Sequence, residues 1–119
     1  MPRSTRPFTL ALSVLLDRGL KVAVVTDGRM SGASGRAPAA IHVTPEAAAG
    51  GALARVLDGD ILTVNCKMGT LHLHVDEAIL AARTNATSPA AKSGWGRELF
   101  ATLRNNVSDA DCGASIFGN

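Results

Sequence analysis

A glycine-rich loop at residues 26–36 holds the side chains of this sequence that are best suited to chemistry. It follows the apolar run Val22–Val25, and a β-branched run that ends at several glycines is typical of a buried strand leading into a tight loop. The polar residues of the loop are Asp27, Arg29, Ser31, Ser34 and Arg36, and its glycines are Gly28, Gly32 and Gly35. Hydroxyl, carboxylate and guanidinium groups together could bind an anionic substrate that carries hydroxyls. An ordinary turn with solvated arginines explains the same residue types.

Three familiar glycine motifs do not describe this loop. A Walker loop needs a Lys-Ser or Lys-Thr pair after its last glycine, and none follows here. The dinucleotide-binding pattern G-x-G-x-x-G fails because Gly28 and Gly32 are too far apart. The nucleophile elbow G-x-S-x-G fails because Arg36 stands where the second glycine is required. No generic motif therefore accounts for the loop.

Residues 27–47 closely resemble the C-terminal domain of the dihydroxy-acid dehydratase and 6-phosphogluconate dehydratase family. The resemblance continues through Gly50-Gly51, residues 58–61 and residues 96–100, and so covers most of the chain. Within the family, the run Ser-Gly-Ala-Ser-Gly-Arg at residues 31–36 is similar to the 6-phosphogluconate branch. The branched-chain amino-acid branch usually has an aromatic residue before the serine and another serine where Thr44 stands.

The resemblance implies a hydro-lyase that dehydrates 6-phosphogluconate to 2-keto-3-deoxy-6-phosphogluconate in the Entner–Doudoroff pathway. It assigns the proton-abstracting base to Ser31, with Ser34 as a secondary candidate. The residues expected to contact the substrate are Asp27, Gly28, Arg29, Gly32, Ser34, Arg36 and His42. Among them, Arg36 is the candidate for the phosphate group. Dehydration of another 2,3-dihydroxy acid, from branched-chain amino-acid biosynthesis or from sugar acids, is the alternative.

The same resemblance implies cofactors and partners that lie outside this sequence. In the family an iron–sulfur cluster and magnesium are bound by the N-terminal region, and this sequence contains none of the motifs that hold them. We therefore expect residues 1–119 to be a single C-terminal domain of a larger dehydratase, to bind no metal and to be inactive alone. Its expected partners are the N-terminal catalytic domain and a sugar-acid phosphate, in an enzyme that is a homodimer.

Two other classes of function fit the residues. A free-standing binding module would recognise sugar phosphates through the glycine loop without catalysis. A structural or interaction domain would use the loop as a plain turn and would dock a partner on an apolar patch near Trp95 or the loop.

Composition limits the remaining possibilities. A net charge of +2, without a cluster of basic residues or an aromatic stacking platform, argues against nucleic-acid binding. The sequence has no apolar run long enough to span a bilayer and no signal-peptide pattern, so we expect a cytoplasmic protein without membrane contact. Cys66 and Cys112 lack metal-ligand spacing, and in a reducing compartment they are expected to be free thiols.

The elements around the loop follow from periodicity and from helix-stop residues. Apolar residues at helical spacing predict a helix over residues 8–18 that ends at Gly19, and a strand over residues 21–26 leads into the loop. A second short strand is predicted at residues 41–43. After it, Thr44 is expected to cap a helix with Pro45 in its first position. The ordinary interpretation of His42 is a histidine packed at a strand end, and a place near the active site is the other.

The second half of the sequence predicts a hairpin and two helices. The hairpin strands are residues 61–65 and 71–75, with two histidines, His72 and His74, on the face opposite the apolar residues. They are interpreted as solvent-facing, since a metal site would need a third ligand. Further predictions are a helix over 77–83 capped by Asp76 with Ile79 and Leu80 turned inward, and an amphipathic helix over 97–104 with Leu99, Phe100 and Leu103 on one face.

This order of elements predicts an α/β fold. Helices flank a small mixed β-barrel-like sheet that includes at least one hairpin. The resemblance implies, more specifically, a swivelling β/β/α domain that closes over the catalytic domain. Trp95 is interpreted either as a packing anchor or as part of an interface with another domain.

Overall fold

The computed structural model describes residues 6–30, 35–88, 90 and 93–117 of the chain. The helices are α1 (Arg6–Asp17), α2 (Glu77–Ala82), α3 (Trp95–Leu99) and α4 (Ala101–Asn105), and the strands are β1 (Val24–Val25), β2 (Ala39–Ala40), β3 (Leu62–Asn65) and β4 (Thr70–Leu73). Three 3-10 turns cover Ala47–Ala49, Ala52–Arg55 and Ala110–Cys112. None of the helices in these ranges is long and apolar enough to cross a membrane.

Helix α1 ends as the sequence predicts. The N–H of Gly19 donates to the carbonyl of Leu16 at 2.9 Å, and the N–H of Leu20 donates to that of Leu15 at 3.1 Å. Gly19 has a φ of 80°, and this pair of bonds around a left-handed glycine is the Schellman motif. The glycine stop therefore directs the chain out of the helix toward β1.

The described strands form two separate two-stranded sheets. Strands β1 and β2 pair in parallel, and the glycine-rich loop lies within the connection between them. Strands β3 and β4 form the predicted antiparallel hairpin, with Leu62 opposite Leu73 and Val64 opposite Leu71. The small mixed α/β class is confirmed. In the described part of the chain the sheets do not close into the expected barrel-like layer, because β1 and β2 are only two residues long and cannot extend to the hairpin.

The predictions for the segment after the loop need correction. The strand expected at residues 41–43 is instead Ala39–Ala40, because His42 turns the backbone to a φ of 54° and ends the ladder. Thr44 does not cap a helix. The next element is a 3-10 turn at Ala47–Ala49 that follows an extended Glu46. Its first N–H is satisfied by a distant carboxylate, described below with the candidate site.

The hairpin and α2 agree more closely with expectation. His72 and His74 lie exposed on one face, as predicted, with their rings 4.6 Å apart in an edge-to-face arrangement. Asp76 caps α2 by accepting from the N–H groups of Ala78 and Ile79. The expectation that Ile79 turns inward is wrong, since its side chain is 56% exposed.

The C-terminal helices leave their apolar face uncovered by the rest of the described chain. The single helix expected over residues 97–104 is divided at Phe100 into α3 and α4. Trp95 is 95% exposed and Leu99 is 77% exposed, so neither anchors a core among the described residues. The radius of gyration is 16.5 Å, against about 13.5 Å for a compact domain of this length. The described residues therefore bury little apolar surface by themselves.

An ion pair joins the turn before the hairpin to the end of α2. The Arg83 guanidinium donates to both carboxylate oxygens of Asp60, at 2.5 and 3.0 Å, and also to the carbonyl of Arg55 at 3.1 Å. The N–H of Leu57 donates to the same carboxylate at 2.8 Å. Hydrogen bonding from Arg83, with a further bond from Leu57, holds the pKa of Asp60 below its ordinary value of 3.8. Asp60 thus links the turn at residues 57–60 to the end of α2.

We expect this pair to make stability depend on acidic pH. Because the pKa of Asp60 is lowered in the folded chain, its contribution is complete above pH 3.8 and is lost as the pH falls through the lowered value. Asp60→Asn should therefore lower the melting temperature at pH 7, and its difference from the wild-type chain should shrink toward pH 2. Circular dichroism melts from pH 2 to 7 measure this, with Asp58→Asn in the same turn as control. A difference that stays constant across that range would contradict the assignment.

Candidate functional site

The candidate site is formed by the segments that follow β1 and β2. Because these strands pair in parallel, both segments start from the same edge of the sheet. Val24 lies opposite Ala39 and Val25 opposite Ala40. The ladder continues beyond the strands, since the N–H of Thr26 donates to the carbonyl of Ala40 at 2.9 Å. Residues 27–30 and residues 41–43 therefore leave the sheet side by side, although they are separated in sequence.

His42 lies beside the entry of the glycine-rich loop. Its N–H donates to the carbonyl of Gly28 at 3.0 Å, and its side chain is exposed. The structure thus places together two residues that the sequence nominated for substrate contact. The exposed ring is not packed at a strand end, which was the ordinary interpretation of this histidine. Its contact with substrate stays a prediction.

Asp27 connects the loop to the following 3-10 turn. Its Oδ2 accepts from the N–H of Ala47 at 2.8 Å, and the side chain is half-buried. That N–H opens the turn at Ala47–Ala49, whose preceding residue, Glu46, supplies no side-chain cap. The Gly28 N–H donates to Oγ1 of Thr26 at 3.0 Å, so local bonds also shape the start of the loop.

The arginines at the two ends of the loop differ in their surroundings. Arg29 is exposed beside Met30. Arg36 pairs with Asp17 at the end of α1, with 2.5 Å between guanidinium and carboxylate. Both partners are largely exposed, so water screens this pair and an anion could compete with Asp17 for Arg36.

An open cleft of about 550 Å³ lies between α1 and the described flanks of the loop. Its lining includes Leu12, Leu16, Met30, Gly35, Arg36 and Cys66. One wall is the apolar face of α1, and Arg36 supplies positive charge at the other. Three predicted site residues, Ser31, Gly32 and Ser34, lie outside the described residues.

Three participants were not found from the sequence. Asp17 pairs with Arg36 across 19 residues, the Ala47 N–H binds Asp27 across 20, and Cys66 enters the cleft from the end of β3. The uncapped 3-10 turn that points to the second of these contacts is visible only in the structure. Cys66 and Cys112 are exposed free thiols, as expected.

The described side chains do not form a metal site. Across residues 6–30, 35–88, 90 and 93–117, no three His, Cys, Asp or Glu side chains come close enough to hold an ion. Neither an iron–sulfur cluster nor magnesium fits the donors that this part of the chain presents.

The chain is similar to known dehydratases over most of its length. Residues 3–114 match the family described as dihydroxy-acid/6-phosphogluconate dehydratase, C-terminal. The chain is 58% identical over 106 residues to phosphogluconate dehydratase of Escherichia coli K12, with 87% of this chain and 18% of that protein covered. It is 57% identical over 107 residues to the Pseudomonas aeruginosa protein of the same name, with 89% of the chain and 18% of that protein covered.

A relative with a different name is also similar. Dihydroxy-acid dehydratase of Methanoregula boonei is 41% identical over 107 residues, covering 89% of this chain and 19% of that protein. The chain therefore spans slightly less than a fifth of the length of these curated relatives.

Proposed function

The chain belongs to the dihydroxy-acid/6-phosphogluconate dehydratase C-terminal family, and from this premise we propose that it is the C-terminal domain of a 6-phosphogluconate dehydratase. The observation that carries the proposal is 58% identity to a phosphogluconate dehydratase over 87% of the chain. The product would be 2-keto-3-deoxy-6-phosphogluconate, as in the Entner–Doudoroff pathway.

In this proposal the glycine-rich loop supplies the base. Oγ of Ser31, in its deprotonated form, takes the proton from the carbon beside the substrate carboxylate, and the electron pair forms a carbon–carbon double bond. The neighbouring hydroxyl leaves as water with a proton that balances the one Ser31 removed, so that Ser31 returns to its deprotonated form. The resulting enol tautomerises to the 2-keto-3-deoxy acid. A serine hydroxyl is a weak base, so nearby N–H groups and positive charge must stabilise its deprotonated form.

The cofactors of the family would lie elsewhere in the protein. An iron–sulfur cluster and magnesium, when bound, supply Lewis-acid assistance to the leaving hydroxyl and hold the carboxylate. The described residues of this chain do not fit either group. The chain matches only 18% of a phosphogluconate dehydratase, so we assign both groups to the rest of an enzyme of that length. By itself the domain would then be inactive.

Arg36 would bind the phosphate of the substrate. It borders the cleft, and Asp17, one of the groups it contacts, is an exposed carboxylate with which a phosphate dianion could compete. Charge-assisted bonds of this kind contribute about 1.5–3 kcal/mol, which is roughly a 10- to 100-fold effect on binding.

The experiment that tests the function is an anaerobic dehydration assay of the full-length dehydratase. We expect turnover of 6-phosphogluconate far above that of gluconate or of a branched 2,3-dihydroxy acid.

Arg36→Ala should raise the KM for 6-phosphogluconate roughly 10- to 100-fold with little change for gluconate. Arg18→Ala, which removes an exposed arginine at the end of α1, is the matched control. Preference for the branched acid would overturn the substrate, and an unchanged KM would overturn the role of Arg36.

The partner of this domain would be the N-terminal catalytic domain of the same enzyme, over which it closes as a swivelling β/β/α domain. The apolar face at Trp95, Leu99 and Phe100 supports a docking surface, since a large exposed apolar patch is unusual on a free domain. Trp95 is the only tryptophan of the chain, so a blue shift of its fluorescence on adding the N-terminal domain would report docking. An unchanged spectrum would argue against this face.

We further propose that the full-length enzyme is a cytoplasmic homodimer. The exposed free thiols Cys66 and Cys112 support a reducing compartment. The dimer rests on the family alone, and sedimentation of the full-length enzyme tests it, with a monomer as the contradicting result.

A further inference from the structure

The carboxylate of Asp27 is already engaged within the protein. Its Oδ2 lies 2.8 Å from the N–H of Ala47, and the bond joins residues 20 positions apart. The 3-10 turn at Ala47–Ala49 has no side-chain cap of its own, so Asp27 satisfies a backbone donor that would otherwise be left open at a half-buried position. A carboxylate in this arrangement stabilises the turn as an N-cap residue does.

The turn that Asp27 contacts belongs to a hydrogen-bonded platform. The Gly51 N–H donates to the Glu46 carbonyl at 2.9 Å, and the Ala54 N–H donates to the Gly51 carbonyl at 3.0 Å. The carbonyl of Ala54 in turn accepts from the N–H of Ala86 at 2.6 Å. Three more bonds connect this platform to the end of α2, one from Arg83 to the carbonyl of Arg55 and two from Arg83 to the carboxylate of Asp60.

The loop entry is held at two neighbouring points. Asp27 is bound to the platform through Ala47, and the carbonyl of Gly28 is bound to the N–H of His42. Without these bonds the backbone at Gly28 could rotate, because glycine restricts φ and ψ little. The loop residues in these two bonds, Asp27 and Gly28, precede Ser31 by four and three positions.

From this geometry we propose that Asp27 is a positioning residue, which holds the loop entry at residues 27–28 against the platform and does not itself bind substrate. The inference rests on the proposed function, and it replaces the earlier expectation that Asp27 contacts the substrate. A substrate that bears a carboxylate and a phosphate would be repelled by a nearby aspartate. A base displaced by about 1 Å can cost about 100-fold in rate, which is the scale of effect expected here.

The test compares three variants of the full-length dehydratase. Asp27→Ala should lower kcat for 6-phosphogluconate about 100-fold and leave KM within about threefold. Asp27→Asn retains an oxygen that accepts from the Ala47 N–H, so it should recover kcat to within about fivefold of wild type. Asp76→Ala removes an equivalent aspartate cap from α2, far along the chain from the loop, and should leave kcat and KM unchanged.

A second measurement does not depend on catalysis. Hydrogen exchange of the peptide that contains Ala47 should be about tenfold faster in Asp27→Ala and near wild type in Asp27→Asn. Unchanged exchange in Asp27→Ala would overturn the proposal, as would an Asp27→Asn variant as inactive as Asp27→Ala. If the wild-type enzyme does not dehydrate 6-phosphogluconate, the proposed function fails, and the exchange result still decides whether Asp27 holds the turn.

Discussion

Ser31→Ala lowers the turnover of 6-phosphogluconate by the full-length dehydratase about a thousandfold, if Ser31 is the base. A positioned general base contributes about 10²- to 10⁴-fold to rate, and alanine keeps no group that could take the proton. The measurement is kcat under anaerobic conditions, with iron and sulfide content checked in both proteins. Equal cofactor content is needed because loss of the cluster would also abolish turnover.

Ser34→Ala is the matched comparison for this prediction. It removes the second hydroxyl of the same loop, which the resemblance ranks below Ser31, and we expect it to retain most of the turnover. If Ser34→Ala is inactive and Ser31→Ala is not, the base is Ser34. If both retain turnover, proton abstraction does not depend on this loop, and the domain is a closing lid.

Gly51→Ala is expected to destabilise the chain by about 3 kcal/mol or more, the largest stability effect that we predict. Gly51 is buried, and a Cβ at this position would lie 1.8 Å from the carbonyl oxygen of Pro45 and 2.6 Å from its carbon. The obstructing atoms are backbone, so they cannot rotate away as a side chain could. With φ at −59° the residue needs no left-handed conformation, and the cost is therefore steric.

Two other glycines provide controls for this measurement, which is thermal unfolding followed by circular dichroism. Gly50→Ala places a Cβ in open space but at a φ of 83°, and should cost only about 1 kcal/mol. Gly96→Ala, in α3 with nothing within 4 Å, should be neutral or slightly stabilising. A melting temperature for Gly51→Ala equal to that of Gly50→Ala would contradict the close approach to Pro45.

Local features of the fold could be predicted because each depends on residues no more than 11 positions apart. The Gly19 stop of α1, the Asp76 cap of α2 and the β3–β4 hairpin all involve bonds between near neighbours in sequence. The predicted inward placement of Ile79 failed for a different reason. Periodicity shows which face of a helix is apolar, but it does not show whether anything within the same chain covers that face.

The sequence by itself determined the family, the glycine-rich loop and its candidate residues, because these lie in one continuous run that can be compared position by position. Only the tertiary structure decided that Asp27 binds the turn at Ala47 and that Asp60 binds Arg83. The bond from His42 to Gly28 is of the same kind. These three contacts join residues 14 to 23 positions apart. Two of them use backbone N–H groups, which are the same in almost every residue type and leave no pattern in the sequence.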